Sequence, residues 1–201
     1  MLSMLTPEER ALVFNTDWLR MKHGIMDKVM HLLGQVQDAI TILPAWQQWP
    51  EAAPVRSLGA KISKGERYKD LPYVILDYPR LFSREDIFAL RTMFWWGHDF
   101  TATLHLAGHS LARYRARLES ARPALEAAGA QLYILEEDPW HHEIGAGIYQ
   151  PLSAVAQTGW EQALDKDFVK LARSFDLGEW EQVVTGAAGF YGEVLAVLKG
   201  A

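Results

Sequence analysis

The segment YVILDY at residues 73–78 constrains the fold of this chain more than any other stretch. Successive side chains of a β-strand point to opposite faces of the sheet, and here both faces are apolar. Such a strand is typical of a sheet interior that is covered on both sides. Pro72 and Pro79 flank the segment, and Pro is tolerated at strand ends. The segment therefore predicts a central strand that ends at its two prolines.

Helical patterns precede and follow this strand. Thr6, Pro7 and Glu9 form the signature of a helix start, and apolar residues from Leu19 to Ile40 recur at helical spacing up to Pro44. Short connections between the remaining strands favour an antiparallel or mixed sheet. We therefore predict an α+β fold with helices mostly on one face of the sheet. The predicted single domain spans residues 1–201, with N-terminal helices at 6–43, a sheet-rich part at 58–150 that includes a helix at 110–128, and C-terminal helices at 160–198.

Finer assignments fill the sheet-rich part. A short strand at Lys61–Lys64 precedes a turn at Gly65, and Ser83 caps a short helix. A strand at 132–135 has its partner at 144–149. The predicted C-terminal helices occupy about 160–175 and 179–198.

Composition limits the chemistry. The chain contains no Cys, which excludes disulfides, thiolate metal ligands and a Cys nucleophile. The net charge of −5 argues against nucleic acid as a partner. No apolar run approaches the roughly 20 residues of a membrane span, and Glu8, Glu9 and Arg10 interrupt any signal peptide. We therefore expect a cytoplasmic protein that binds no membrane.

A predicted hairpin concentrates polar side chains on one face. Its arms are Arg91–Trp96 and Thr101–Ala107, joined by a turn at Gly97, His98 and Asp99. A turn centred on His98 pairs Trp95 with Thr101, Met93 with Thr103 and Arg91 with His105, all on one side of the sheet. One interpretation is an ordinary solvated face. The other is a ligand platform, in which Arg91 accepts an anion, Trp95 stacks on the ligand and Thr101 and Thr103 line it.

Histidines supply the candidates for catalysis and for metal binding. In the platform interpretation, His105 acts as an acid, base or donor, with His98 and Asp99 as further catalytic candidates. His98, His105, His141, His142 and Glu143 are also candidate metal ligands, to which Asp99, Glu136, Glu137 and Asp138 could add carboxylates. Their spacing matches no ligand template, and the alternative is that these histidines cap turns or lie at the surface.

Basic residues flank the central strand. Lys61, Lys64, Arg67 and Lys69 precede it and Tyr78 ends it, so these side chains could gather around a phosphate or carboxylate. The alternative is solvated charge that balances nearby acids.

Three sequence words resemble a family of short uncharacterised bacterial proteins. They are YVILDYPR at 73–80, FWWG at 94–97 and LHL at 104–106. They lie in the stretch from Gly59 to His109, so the resemblance covers about a quarter of the chain. It implies a bacterial cytosolic origin and no activity, cofactor or site residue.

Three functions remain open. The first is a binding or interaction protein, a homodimer or larger homo-oligomer, that buries Trp46, Trp49 and the Trp95 face against its partner and accepts a small anionic ligand on its polar face. The second is a small-molecule enzyme that acts on an anionic substrate through Arg91 and His105. The third is a metal-dependent enzyme that uses His and carboxylate ligands. We predict no cofactor.

Overall fold

A computed structural model describes residues 4–49, 52–135, 138–145 and 147–200. Its α-helices are α1 (Pro7–Phe14), α2 (Thr16–Thr41), α3 (Pro44–Gln47), α4 (Ala53–Arg56), α5 (Gly108–Ser120), α6 (Arg122–Ala127), α7 (Gln157–Leu164) and α8 (Val183–Lys199). Two 3₁₀ turns, Leu152–Ala154 and Leu177–Gln182, precede α7 and α8. The predicted capping box begins α1: Glu9 N donates to Thr6 Oγ1 at 3.1 Å, and Thr6 N donates to Glu9 Oε2 at 2.7 Å. None of the described helices is long and apolar enough to cross a membrane.

The strands form one antiparallel sheet, which confirms the predicted α+β class. They are β1 (Lys61–Tyr68), β2 (Leu71–Phe82), β3 (Asp86–Trp95), β4 (Asp99–Ala107), β5 (Gln131–Tyr133), β6 (Tyr149–Pro151) and β7 (Phe168–Asp176). Their order across the sheet is β1-β2-β3-β4-β7-β5-β6. The last strand along the chain, β7, therefore lies between β4 and β5.

The two faces of the sheet have different surroundings. On one face, buried side chains such as Val74, Leu104 and Leu171 pack against the helices in a single apolar core. Trp46, Trp49 and Trp160 belong to this core, and each is at most 1% exposed. Trp46 and Trp49 are therefore unavailable to a partner, and their predicted interface role is wrong. The opposite face holds polar residues and forms the candidate site.

The predicted central strand corresponds to β2. It is buried on both faces as predicted, but it does not end at its two prolines. Val74 and Leu76 are fully buried on the helical face, while Ile75 and Asp77 are buried on the other. The strand continues through both prolines, because the pairing of β2 with β3 shifts between Asp77 and Arg80. An irregularity of this kind accommodates Pro79 without ending the strand.

The predicted helix at 160–175 is wrong beyond its first turns. Helix α7 ends at Leu164, and β7 begins at Phe168. Val169 and Leu171 of β7 face the helical core, while Lys170 and Ala172 lie on the opposite face, all of them buried. A strand that is buried on both faces lacks the polar–apolar alternation that distinguishes strand from helix.

Smaller assignments also change. Ser83 begins a hairpin turn between β2 and β3 instead of a helix, because its Oγ accepts the N–H of Asp86 at 3.0 Å. Gly65 lies within β1 opposite Tyr73, and a Cβ there would meet the Tyr73 ring at 2.5 Å. Glycine therefore lets this ring lie across the strand. The partner of β5 is Tyr149–Pro151, later in the chain than predicted.

Gly108 offers a sharp test of the junction between β4 and α5. Its φ is +57°, and an added Cβ would lie 1.9 Å from the carbonyl oxygen of Glu85. Because that atom is backbone, the clash cannot relax by a rotamer change. We expect Gly108→Ala to destabilise the fold by about 3 kcal/mol or more, measured by urea unfolding. Gly59→Ala is the control, because Gly59 has a φ of +69° with open space around it. Equal losses would contradict the steric account.

Candidate functional site

The β3–β4 hairpin presents the predicted polar face with a different register. Arg91 pairs with Thr103 and Met93 with Thr101, and His105 lies opposite Ala89. The predicted pairing is therefore wrong by two residues. Because side chains alternate with a period of two, a shift of two leaves the same residues on the same face. Arg91, Met93, Trp95, Thr101, Thr103 and His105 share that face as predicted.

This polar face is covered, so its interpretation as a solvated surface is wrong. Residues 138–143, here named the covering segment, lie over it. Thr101 and Thr103 are each 3% exposed, and His105 is 4% exposed. Buried polar groups in proteins are generally hydrogen-bonded, so we expect the polar side chains of this face to have partners.

Arg91 lies at the centre of the polar face. Its Nε and Nη2 donate to the two carboxylate oxygens of Asp77, at 2.7 and 3.0 Å. Its guanidinium carbon lies 5.5 Å from the Phe82 ring centre and 5.4 Å from that of Trp140. A two-point ion pair between aromatic rings fixes the orientation of the guanidinium.

His142 of the covering segment completes this group. Nη1 of Arg91 lies 3.1 Å from Nε2 of His142. Because a guanidinium only donates, Nε2 carries the lone pair and the ring proton sits on Nδ1. Burial, followed by the nearby charges of Lys170 and Arg91, lowers the pKa of His142 well below its ordinary value of 6.5. His142 is therefore a neutral acceptor at physiological pH, and its backbone N–H donates to the Tyr68 hydroxyl at 2.8 Å.

Lys170 of β7 holds the covering segment to the sheet. Its Nζ donates to the carbonyl oxygen of Pro139 at 2.9 Å and to that of His141. The amine also lies 4.6 Å from the Tyr133 ring centre and 5.6 Å from that of Tyr149. Burial, reinforced by the charge of Arg91, lowers the Lys170 pKa from 10.5 to about 7. The sequence-based prediction placed this residue on a helix and missed it.

A cleft of about 430 Å³ opens beside Arg91. We name it the Arg91 cleft; its lining is Tyr68, Lys69, Tyr73, Ile75, Arg91, Asp138, Trp140, His141 and His142. Lys69 belongs to the two-residue turn between β1 and β2, where Lys69 and Asp70 have φ values of +48° and +63°. Two such residues form a tight hairpin turn, but lysine adopts this conformation at a cost of about 1–2 kcal/mol. The turn places a cation at the mouth of the cleft, where it contacts Glu143.

His105 lines a second cleft, of about 340 Å³, here named the His105 cleft. The lining is Arg84, Glu85, Asp86, Ile87, His105, Ala107, Gly108, Pro139, Asp167 and Phe168. Burial, followed by the charges of Lys170 and Arg91, lowers the pKa of His105 to about 3, and its Nε2 has no hydrogen-bond partner among the described residues. The Trp140 ring contacts both Arg91 and His105. The two side chains thus share a face but line different clefts.

The turn residues of the hairpin occupy other surroundings. His98 is exposed, and its ring stacks on Trp95 with centroids 3.4 Å apart. Trp95 is 4% exposed and donates through Nε1 to the Tyr68 carbonyl, so its predicted role as an open stacking platform is wrong. Burial, with the charges of Glu143 and Asp176, raises the pKa of Asp99 to about 7. Asp99 is therefore partly protonated at neutral pH, outside both clefts.

The predicted basic cluster does not assemble as expected. Lys61, Lys64 and Arg67 are exposed along β1, outside the lining of the Arg91 cleft. Tyr78 lies on the helical face, where its hydroxyl accepts from Trp46 Nε1 at 3.3 Å. Of the four predicted basic residues, Lys69 lines the Arg91 cleft, because it belongs to the two-residue turn at 69–70 that follows the strand.

The candidate metal ligands are dispersed. Across residues 4–49, 52–135, 138–145 and 147–200, no group of three or more His, Asp or Glu side chains is placed to hold a metal ion. His141 pairs with Asp138 at 3.4 Å, and Glu143 contacts Lys69. Glu136 and Glu137 lie outside the described residues.

A larger cleft, of about 600 Å³, lies between β5 and α7. Its polar lining includes Gln150, Gln162 and Asp165, all exposed. We rank the Arg91 cleft above it, because buried charged and neutral polar groups converge there with aromatic rings.

Comparisons with known proteins add no assignment. Neither the protein-family models nor the curated proteins contain a match to this chain. The resemblance to short bacterial proteins stays a prediction.

Proposed function

We propose that this chain is a binding protein for a small molecule that carries an anionic group on a flat ring, held in the Arg91 cleft. The observation that carries the proposal is the lining of that cleft, which combines Arg91 and Lys69 with the rings of Tyr68, Tyr73 and Trp140. Its volume of about 430 Å³ lies in the range of small-molecule sites.

The hydrogen-bonding capacity of Arg91 supports an anion. A guanidinium has five N–H donors, and the contacts of Arg91 with Asp77 and His142 use three of them. Two donors therefore remain for a carboxylate or phosphate oxygen. Lys69 adds a second cation at the mouth, where solvent access lets its contact with Glu143 give way to a ligand.

Backbone strain at Lys69 gives independent support. Positive φ values of non-glycine residues cluster at ligand sites, where other interactions hold them in place. The strained turn brings the Lys69 ammonium to 6.0 Å from the Trp95 ring centre and into contact with Glu143.

Catalysis by Arg91 and His105 together is the weaker alternative. It requires one substrate to reach both side chains, and Trp140 and the covering segment separate the two clefts. A cytoplasmic setting and a bacterial origin remain part of the proposal. The sequence resemblance implies the bacterial origin, and a chain without Cys is compatible with a reducing compartment.

Phenyl phosphate and its neutral relative phenol test the proposal by thermal unfolding. We expect phenyl phosphate to raise the melting temperature in a saturable way and phenol to leave it unchanged. Lys69→Ala should weaken phenyl phosphate binding by about tenfold, because one charge-assisted hydrogen bond is lost.

Lys64→Ala is the matched control, because Lys64 is exposed on the strand that precedes the turn of Lys69 but lies outside the cleft. It should bind as the unmodified chain does. Equal stabilisation by phenol, or equal loss in both lysine variants, would contradict a specific anion site.

A further inference from the structure

The first part of the chain carries an apolar surface that the rest of the described structure leaves uncovered. Every residue from 4 to 21 is exposed, and α1 contributes no buried residue. In α2 the buried residues begin at Met26. Residues 4–21, here named the arm, therefore extend beyond the core.

Large apolar side chains are concentrated on the arm. The exposed ones are Met4, Leu5, Leu12, Val13, Phe14, Trp18, Leu19 and Met21, with Met4 83% and Phe14 80% exposed. The described residues outside the arm contribute five more, at Ile42, Leu58, Phe82, Leu135 and Trp140. Isolated exposed apolar residues are ordinary, but eight large ones within residues 4–21 are a concentration that points to an interaction surface.

The apolar spacing of the sequence also indicates that positions of the arm favour burial. The apolar period of α2, which continues through Met26, Val29 and Leu33 into the core, begins at Leu19. Leu19 belongs to this predicted apolar period, yet it is 45% exposed. The apolar stripe of the helix thus continues past the end of the core that covers it.

We propose that the arm is a self-association surface that packs against the arm of a second copy of this chain. The eight side chains expose roughly 800–1,000 Å² together, which matches the roughly 800 Å² that each partner buries in a standard interface. A symmetric dimer needs a self-complementary patch: a residue of one copy contacts a second residue of the other copy, and the reverse contact is made as well. The arm supplies both signs of charge, with Glu8, Glu9 and Asp17 against Arg10 and Arg20.

The same charges argue against a lipid surface. Helices that bind anionic membranes are rich in Lys and Arg on their polar face. The arm has three acids and two bases, so its net charge is −1. A second copy is therefore the occupant that the arm fits best. This surface is separate from the Arg91 cleft, and the proposal does not depend on ligand binding there.

Sedimentation velocity over a wide concentration range tests the proposal. We expect the unmodified chain to be a dimer and the double variant Phe14→Asp/Trp18→Asp to be a monomer, with self-association weakened by about thirtyfold or more. Because both side chains lie outside the core, circular dichroism of the variant should show unchanged secondary structure.

Ile42→Asp is the control, since Ile42 is 71% exposed outside the arm. It should remain dimeric. A monomeric unmodified chain at every concentration would overturn the proposal, as would a double variant that still dimerises. Binding of a monomeric chain to phosphatidylglycerol vesicles would also overturn it, and would identify a membrane as the occupant.

Discussion

Asp77→Ala is expected to destabilise the fold by about 3–5 kcal/mol, because it leaves the Arg91 guanidinium buried without its counter-charge. The Arg91 side chain is 13% exposed and that of Asp77 is 11% exposed. Water therefore replaces the lost carboxylate only in part. Equilibrium unfolding in urea measures this change as a shift of the midpoint.

A double-mutant cycle separates the pair from its surroundings. In Asp77→Ala/Arg91→Met neither charge remains buried, so we expect the double variant to lose less stability than the two single variants lose together. Asp17→Ala is the matched control. It breaks an Asp–Arg pair of 3.2 Å whose side chains are 84% and 78% exposed, and the midpoint should stay almost unchanged. Additive losses at Asp77 and Arg91 would show that the pair does not organise the face.

Lys170 is expected to make the fold more stable as the pH rises from 7 to 9.5. Its pKa is about 7 in the folded chain and 10.5 ordinarily, so between these values the unfolded chain binds more protons. Stability rises with pH wherever the unfolded state binds more protons. The gain over this window is on the order of 3 kcal/mol.

Lys170→Met should remove this gain, and unfolding midpoints at several pH values measure it. The groups around the amine are Tyr133 and Tyr149, the charges of Arg91 and Asp138, and the imidazole of His105 across the strand pair. Both tyrosines have raised pKa values, so their titration lies above the window. Lys64→Met, at an exposed site, should retain the slope. A slope that survives in Lys170→Met would contradict a buried, weakly basic amine.

Periodicity explains which parts of this fold could be predicted from sequence. The shared face of Arg91, Thr103 and His105 survived an error of two residues in the register, because strand alternation depends only on whether the shift is odd or even. The helical core followed from the apolar spacing of α2. These features arise from local pattern, and local pattern is what a sequence displays directly.

The features that failed depend on contacts between distant segments. The alternation of β7 is hidden because both of its faces are buried. Lys170 lies beneath the covering segment and Ala172 packs with Tyr133, Ile148 and Tyr149, while Val169 and Leu171 are buried against helices. Without β7, Lys170 had no place on the sheet, and nothing predicted that residues 138–143 would lie over it. A related reason explains why the sequence did not separate Lys69 from the other predicted basic residues. Its place at the cleft depends on a strained two-residue turn that its own sequence, Lys-Asp, does not favour.

Amide and side-chain NMR shifts during titration with phenyl phosphate test the binding proposal most directly. We predict saturable shifts at Tyr68, Lys69 and Tyr73, at the Arg91 Nε–H and at the Trp140 indole N–H, with none of comparable size from phenol. Shifts that fail to saturate, or that cluster instead around Gln150 and Gln162 between β5 and α7, would contradict the assignment of the Arg91 cleft as the ligand site.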